Sequence, residues 1–186
     1  MRRFWIPLLV AVAVIAAGWI GFWLGRAPVE PLRRETRRLA EVNRTLSETE
    51  VAVFFIKTTK TDFYLQPLLI KVPVEGDRHL RALEALFDGP PAGSGLDKVF
   101  PEGSRALHFE LAEGLATVDL NRAAARINVG ASGEALAVAA LVNTLTKLPD
   151  VYRVKILVDG EEVESLAGHV DLTGTFRYND QLVRFR

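Results

Sequence analysis

The most hydrophobic stretch of the chain runs from Phe4 to Leu24 and contains no charged residue. As a helix of about 21 residues it would extend about 32 Å at ~1.5 Å per residue, which is enough to cross the ~30 Å hydrocarbon core of a bilayer. Trp5, Trp19 and Trp23 lie near its ends, where tryptophan rings sit at the level of the lipid headgroups. This pattern predicts a single transmembrane helix within residues 1–25.

A cleavable secretory signal is the alternative interpretation of the same stretch. The basic start Met1–Arg3 suits a signal peptide, and Ala16-Ala17 could form a small-residue cleavage site. The apolar run continues from Gly18 to Leu24, which is longer than a signal core requires. We therefore prefer an uncleaved signal anchor, and both interpretations export the rest of the chain.

The arginines that flank the segment conflict with this orientation. Five arginines follow the span between residues 26 and 38, whereas Arg2 and Arg3 precede it with the terminal amine. The positive-inside rule then favours a cytoplasmic C-terminal side. We nevertheless expect the domain on the extracytoplasmic side, because a short basic tail before a long apolar run is typical of a signal anchor.

Residues 26–49 are rich in charge and separate the apolar segment from the rest of the chain. Leu32, Leu39 and Leu46 recur every seven residues, which permits a short coiled coil but covers too few heptads to predict one. The segment is interpreted as a solvated helical or semi-ordered stalk that holds the following domain away from the bilayer.

Residues 50–186 alternate between short apolar runs and amphipathic segments, as in one α+β domain. Two helices are predicted, one that begins after Asp77 and stops before Gly89 and one over residues 134–147. Two helices cannot cover both faces of such a sheet, so we expect a small, mostly antiparallel sheet with both helices packed on one face. Strands are predicted at 51–56, 68–72, 106–111, 116–120, 153–158 and 163–166.

Turn and strand-end residues carry local expectations. Gly89 and Gly160 occupy turns that favour positive φ. Asp119 and Asp159 end predicted strands, where a carboxylate can accept hydrogen bonds from backbone N–H groups of a turn. Glu113-Gly114 is predicted to close a hairpin.

The alternation of apolar and polar residues in one predicted strand, and two polar residues in the second predicted helix, give further expectations. Leu107, Phe109 and Leu111 alternate with polar residues and are expected to face the same side of a strand. Thr144 lies within the second predicted helix, where its hydroxyl can bond the carbonyl four residues back. Asn143 beside it is expected to make a local hydrogen bond rather than to face a partner.

Six segments in a fixed order resemble the GerMN domain, the unit of the sporulation and spore-germination protein GerM. The resemblance implies an envelope protein of Gram-positive bacteria, with helices on one side of a small sheet and no enzymatic activity. This chain has no cysteine for a lipid anchor and carries one copy of the unit where GerM carries two. The six segments are residues 83–90, 100–104, 114–120, 139–146, 154–160 and 168–172.

Composition and the scarcity of reactive side chains argue against catalysis. The chain has 23 basic and 23 acidic residues, a balance that does not indicate a polyanionic partner such as nucleic acid. The absence of cysteine excludes disulfides and thiolate metal sites. No nucleophile elbow or phosphate-binding loop is present in the sequence. We predict no catalytic, cofactor-binding or metal-binding residues.

The chain contains three histidines, His79, His108 and His169. If residues 169–171 form a strand, His169 and Asp171 would project on one face, but two ligands do not make a zinc site. His79 and His108 are expected to be exposed. The histidines therefore change none of these expectations.

These observations predict a single-pass membrane protein whose extracytoplasmic domain is a non-catalytic interaction or assembly module of the cell envelope, with a role in sporulation or germination. Its partners would be envelope or sporulation proteins or a second copy of the chain. Exposed edge strands and the sheet face away from the helices are the expected contact surfaces. The alternative is a cell-wall or small-ligand sensor in which the loop 90–105 forms a cleft.

Overall fold

The computed structural model describes Arg34, Arg38, Val42 and residues 47–127 and 129–185. The predicted membrane span Phe4–Leu24 and most of the predicted stalk lie outside these residues. No helix among the described residues is long and apolar enough to cross a membrane.

The chain divides into two units, Met1–Leu46 and Ser47–Arg186. The three described residues of the first unit are helical and exposed. The remainder of the fold concerns the second unit.

The second unit begins with an antiparallel hairpin of two long strands, β1 (Glu48–Thr58) and β2 (Phe63–Pro73). Both predicted strands are confirmed and extend further than their apolar runs. Phe54 and Phe55 are adjacent in β1 and are both fully buried. Because neighbouring side chains of a strand point to opposite faces, β1 is covered on both sides at this point, which explains why its sequence does not alternate.

Helix α1 (Arg78–Asp88) follows the hairpin and begins and ends as predicted. The Asp77 carboxylate accepts the backbone N–H of His79 at 2.7 Å, which satisfies one of the free N–H groups of the first turn. Gly89 ends the helix with φ 93°, a conformation that glycine adopts without steric cost. The face predicted from the leucine spacing is buried, except that Leu80 is exposed.

A second sheet contains β3 (Ala106–Ala112), β4 (Leu115–Leu120) and β5 (Arg153–Val158) in that order. Strands β3 and β4 form the predicted hairpin, and Glu113 and Gly114 both have positive φ, 50° and 77°, as a type I′ turn requires. A Cβ at Gly114 would lie 2.3 Å from Cδ2 of Tyr152, so this position requires glycine for space as well as for conformation.

The alternation predicted for β3 is wrong at one position. The register of β3 against β4 shifts between Ala106 and His108, which makes Leu107 the extra residue of a β-bulge. Leu107 is consequently exposed, whereas Phe109 and Leu111 remain packed against the core. The predicted burial of this face therefore holds only from Phe109 onward.

The described residues contain two separate sheets, not the single, mostly antiparallel sheet that the sequence predicted. Strands β4 and β5 are parallel, because the chain between them crosses over through the second helix instead of turning back directly. Helix α1 packs against β1, β2 and β3, and helix α2 (Ala131–Thr146) against β1, β2 and β5. The α+β class with two helices is confirmed for these residues.

Helix α2 is buried on all sides rather than along one face. It starts three residues before the predicted Glu134, and every side chain from Leu136 to Leu145 is buried. The predicted stripe of branched side chains is therefore only part of its packed surface. A helix that is apolar all round belongs in a core and needs covering on both sides.

The cover on the outer side of α2 is the segment 161–185, which we call the C-terminal strap. The strand predicted at 163–166 does not form there, and the strap is joined to neighbouring strands by isolated bridges. The fully buried carboxylate of Glu134 holds it instead. This carboxylate accepts backbone N–H groups from Leu166 at 2.9 Å, Ala167 at 2.9 Å and His169 at 2.8 Å.

Asn143 fixes the strap at a second point. Its Nδ2 donates to the carbonyl of Asn179 at 2.8 Å, and its Oδ1 accepts the backbone N–H of Asn179 at 2.8 Å. The prediction of a local hydrogen bond for Asn143 was therefore wrong. Both amide groups of this buried side chain are satisfied by a segment distant in sequence.

The hydroxyl of Thr144 bonds a strand and not the helix carbonyl that was predicted as its partner. Thr144 Oγ1 accepts the backbone N–H of Phe54 in β1 at 3.1 Å, so it joins α2 to the first sheet. The bond to the carbonyl four residues back is made by Thr146, whose hydroxyl donates to Val142 at 2.7 Å. Thr144 is buried against β1, so its hydroxyl bonds this strand, whereas the hydroxyl of Thr146 bonds its own helix.

The anchoring of the strap by Glu134 gives a first prediction. Glu134→Ala leaves three backbone N–H groups without their acceptor, and we expect the free energy of unfolding to fall by about 3 kcal/mol. Urea unfolding followed by circular dichroism measures this loss. Glu161→Ala, at an exposed position of the strap, is the matched control and should change stability by less than about 0.5 kcal/mol. Equal stability of the two variants would contradict the assigned role of Glu134.

Candidate interaction site

The outer edges of β1, β2 and β5 are each contacted by other parts of the chain. On β5, Val154 exchanges backbone hydrogen bonds with Phe176 of the strap, at 2.9 and 2.8 Å. On β2, Leu65 donates to Leu182 at 2.7 Å and accepts from Arg184 at 2.9 Å. The strap therefore pairs with one edge of each sheet at a single point.

The outer edge of β1 is covered by two further contacts. The carbonyl of Ile56 accepts the N–H of Asp97 at 2.8 Å, and the N–H of Phe54 bonds the Thr144 hydroxyl. Strand β3 differs, because within residues 47–127 and 129–185 no strand or bridge partner lies on its outer side. Among the described residues β3 is therefore open along its whole outer side, whereas β1, β2 and β5 each have at least one partner there.

The hydrogen bonds of β4 show which backbone groups β3 leaves unpaired. The carbonyls of Gly114 and Leu120 accept hydrogen bonds from residues at the two ends of β5. The backbone N–H and C=O groups of the even-numbered residues of β4 therefore point toward β5. The backbone groups of the odd-numbered residues of β4 therefore point toward β3, where these residues lie opposite His108, Glu110 and Ala112. The backbone groups of Phe109 and Leu111 must then point outward, away from β4.

A groove of about 560 Å³ runs between this edge and helix α1. Its apolar walls include Leu80 and Phe87 from the helix and Leu107 and Phe109 from the strand. Leu80 and Leu107, which line the groove from its two walls, are 38% and 46% exposed. The groove joins an apolar surface to unpaired backbone groups.

Charged side chains surround the apolar walls of this groove. Glu84 and Asp88 line it from α1, and Arg105 and His108 line it from the start of β3. Glu84 is paired with Arg81 at 2.8 Å on the same helix. An apolar centre with a polar rim is the usual arrangement of a protein–protein contact.

His79 supports one wall of the groove and is not exposed as predicted. Its side chain is 18% exposed, and its ring stacks on Phe109 with centroids 5.0 Å apart. Nδ1 lies 2.9 Å from the Asp77 carboxylate, and Nε2 lies 3.3 Å from the carbonyl of Pro149. His79 therefore joins the start of α1, strand β3 and the chain after α2.

His108 is exposed, as predicted, and lies opposite Asp119 of β4. His169 and Asp171 do not share a strand face, because the predicted strand is absent. The Asp171 carboxylate accepts the hydroxyl and the backbone N–H of Thr173 at 2.7 and 2.9 Å, and these bonds lower its pKa. Among the described residues, no group of three candidate ligands could hold a metal ion.

The other turn residues behave as predicted. Gly160 has φ 81°, and its N–H donates to the Asp119 carboxylate at 2.8 Å. Asp159 accepts the backbone N–H of Arg122 at 3.2 Å. These carboxylates are occupied by turn structure and are not free for chemistry.

The loop 90–105 is packed onto the domain instead of standing open. Val99 and Phe100 are buried, and the Phe100 ring meets Phe87 edge-on with centroids 5.2 Å apart. The loop supplies Ser104 and Arg105 to the groove beside β3. Its contribution to the groove beside β3 is therefore made at its last two residues.

The sheet face away from the helices, also predicted as a contact surface, is polar. The register places Glu110, Thr117 and Lys155 in one row across β3, β4 and β5, and Lys155 pairs with Glu162. This face carries mixed charge and lacks the apolar centre found beside α1.

Sequence reasoning missed the groove and the buried carboxylate that orders the strap. Glu134 stands at the start of an otherwise apolar helix, and a lone acid in such a run was the available signal. The exposure of Leu107 depends on the bulge, which leaves no comparable mark in the sequence.

The fold and these contacts define a small α+β module built around a buried helix. The family model described as "Germane: Sporulation and spore germination" matches residues 52–164. The chain therefore belongs to this family, and the resemblance found in the sequence is confirmed. A comparison with curated proteins gave no match.

Solved structures show the same fold. The tandem GerMN domains of the sporulation protein GerM from Bacillus subtilis align with TM-score 0.62 and 21% identity over 75% of this chain and 49% of that chain. This chain thus spans about half of the tandem protein. The first GerMN domain of the same protein aligns with TM-score 0.52 and 17% identity, over 72% of this chain and 98% of that chain.

A putative lipoprotein from Clostridium perfringens also aligns with this chain. The TM-score is 0.53 and the identity 24%, over 73% of this chain and 91% of that chain. At these identities the similarity concerns the fold alone.

The Asp77–His79 contact predicts a pH dependence. Burial raises the pKa of the Asp77 carboxyl, but hydrogen bonds from the side chain and backbone of His79 outweigh it, so the pKa lies below its usual 3.8. Because the folded protein holds the charged form more strongly than the unfolded chain, the resulting stability is present above this range and lost as the pH falls below about 4.

Asp77→Asn keeps the helix cap and removes this titration. We expect the stability of the native protein to fall more steeply between about pH 5 and pH 2 than that of the variant. Urea unfolding at a series of pH values measures the difference. Parallel curves for the two proteins would show that Asp77 makes no net electrostatic contribution.

Proposed function

We propose that this protein is a single-pass membrane protein whose extracytoplasmic domain acts as a non-catalytic interaction module of the Gram-positive cell envelope, in sporulation or germination. The observation that carries the proposal is the open edge of β3 beside an apolar groove. The family description supports the sporulation and germination context.

The mode of interaction that suits this surface is strand addition. An extended segment placed along β3 would satisfy the outward backbone groups of Phe109 and Leu111 and continue the three-stranded sheet. Its apolar side chains would enter the groove beside Leu80 and Leu107. Backbone pairing supplies affinity in such contacts, and the groove supplies selectivity.

The membrane anchor is supported by the sequence of residues 4–24, which is uncharged and long enough to span a bilayer. The non-catalytic part of the proposal is supported by what the polar groups already do. His79 is stacked on Phe109, Asp171 is bonded to Thr173, and Glu134 holds the strap. These side chains act as structural groups.

The absence of cysteine allows a direct test of topology, because a single introduced thiol can be labelled without background. Glu161→Cys places the thiol at an exposed turn. A membrane-impermeant maleimide should label this variant in intact cells, while Arg3→Cys should be labelled only after the membrane is permeabilised. The reverse pattern would contradict the extracytoplasmic placement.

The contact surface is tested by Leu107→Asp, which puts a charge beside the open edge. We expect capture of envelope proteins by the immobilised full chain to fall about tenfold or more, because the loss of a central apolar contact commonly costs more than 1 kcal/mol. Leu69→Asp is the matched control, since Leu69 is 64% exposed on β2. Equal capture by the two variants would place the contact surface elsewhere.

A further inference from the structure

We propose that the strand which pairs with β3 is β3 of a second copy of this chain, antiparallel about a two-fold axis through Phe109. The inference rests on the proposed function of this edge and specifies its partner. It follows from the outward backbone groups and from the order of charges along β3.

The backbone geometry permits this axis. Phe109 presents both its N–H and its carbonyl outward, as derived from the pairing of β4 with its two neighbours. Two copies related through Phe109 can therefore exchange a pair of hydrogen bonds between their Phe109 residues. The same register places Leu107 opposite Leu111 of the second copy.

The charges favour this register over its neighbours. With the axis at Phe109, His108 lies opposite Glu110 of the second copy, and the symmetry repeats the contact on the other side. Arg105 and Glu113, at the two ends of the strand, are brought to opposing positions by the same operation. Every charged or titratable residue from 105 to 113 then meets a group of complementary chemistry.

Shifted registers lose these pairs. An axis at Glu110 sets two carboxylates directly opposite each other, which is unfavourable in a cross-strand pair. An axis at Leu111 places Glu110 opposite Ala112 and leaves the carboxylate without a partner. Charge complementarity therefore selects the axis at Phe109 and a self-complementary surface.

The apolar surface fits a second copy as well. Leu107 and Leu80 are exposed in the single chain, and Leu107 would be covered by Leu111 of the second copy. Residues 108 and 110 form the non-hydrogen-bonded pair of this register, in which side chains lie closest together. A disulfide placed there would report the contact directly.

The first experiment uses the cysteine-free full chain in its native membrane. A variant with both His108→Cys and Glu110→Cys should form a disulfide-linked dimer on mild oxidation, because Cα atoms of such a pair lie about 4.5 Å apart. The control variant, Thr117→Cys, lies on the neighbouring strand β4, away from the edge, and should give no dimer. Absence of the edge dimer, when both thiols react with a maleimide, would overturn the inference.

The second experiment tests the charge pairing itself. Chains carrying Glu161→Cys are labelled with a donor or an acceptor dye at this thiol and reconstituted in vesicles. Energy transfer between the two dyes then measures association. Glu110→Lys alone sets His108 against a lysine, and His108→Glu alone sets two carboxylates against each other. We expect each variant alone to associate about tenfold more weakly than the native chain.

A mixture of the two variants should restore association, because the new lysine of one chain then faces the new glutamate of the other. The remaining His108 and Glu110 pair across the same contact. Gln181→Lys, on the strap, is the matched control and should leave association unchanged. Failure of the mixture to associate more strongly than either variant alone would overturn the axis at Phe109.

These outcomes separate the inference from the proposed function. A monomeric chain that still captures other envelope proteins, with capture lost in Leu107→Asp, would overturn self-pairing and leave the interaction role in place. Loss of both self-association and capture in that variant supports the inference.

Discussion

The buried carboxylate of Glu134 is the interaction on which the rest of the structure depends. Burying a charge is costly unless polar partners replace water, and here three backbone N–H groups of the strap supply them. The carboxylate in turn fixes a segment that forms no strand of its own. Glu134 and Asn143 thus hold residues 161–185 against α2, and backbone pairing with β2 and β5 adds to this anchoring.

This anchoring decides which surfaces of the domain are available. The strap completes the burial of α2 and also pairs with Val154 of β5 and Leu65 of β2. An open strand edge tends to pair with another chain, and the strap covers part of one edge of each sheet. Strand β3 keeps its open edge because the strap does not reach it. Both interaction proposals concern this open edge.

Much of the fold could be predicted from local chemistry, and the failures share a cause. Helix α1 has both of its end signals in the sequence, Asp77 and Gly89, and its bounds were predicted correctly. The roles of Asn143 and Thr144 could not be, because their partners, Asn179 and Phe54, are 36 and 90 residues away. Local patterns define elements, whereas these contacts define how the elements are assembled.

The candidate interaction site was predicted only in kind. An open strand edge was expected, but which strand remained open depended on the strap, whose path no periodicity indicates. The bulge at Leu107 then exposed a residue that alternation had placed inside. The parallel pairing of β4 and β5 similarly follows from the crossover through α2 rather than from either strand's own sequence.

The family match ends at residue 164, so most of the strap lies beyond it and is held to the matched region through Glu134. Amide hydrogen exchange of Leu166, Ala167 and His169 tests this account most directly. We expect these three amides to exchange as slowly as those in the middle of α2, since both would open only when the domain unfolds. Rapid exchange of the three amides while α2 stays protected would show that the carboxylate does not hold the strap, and would contradict the account.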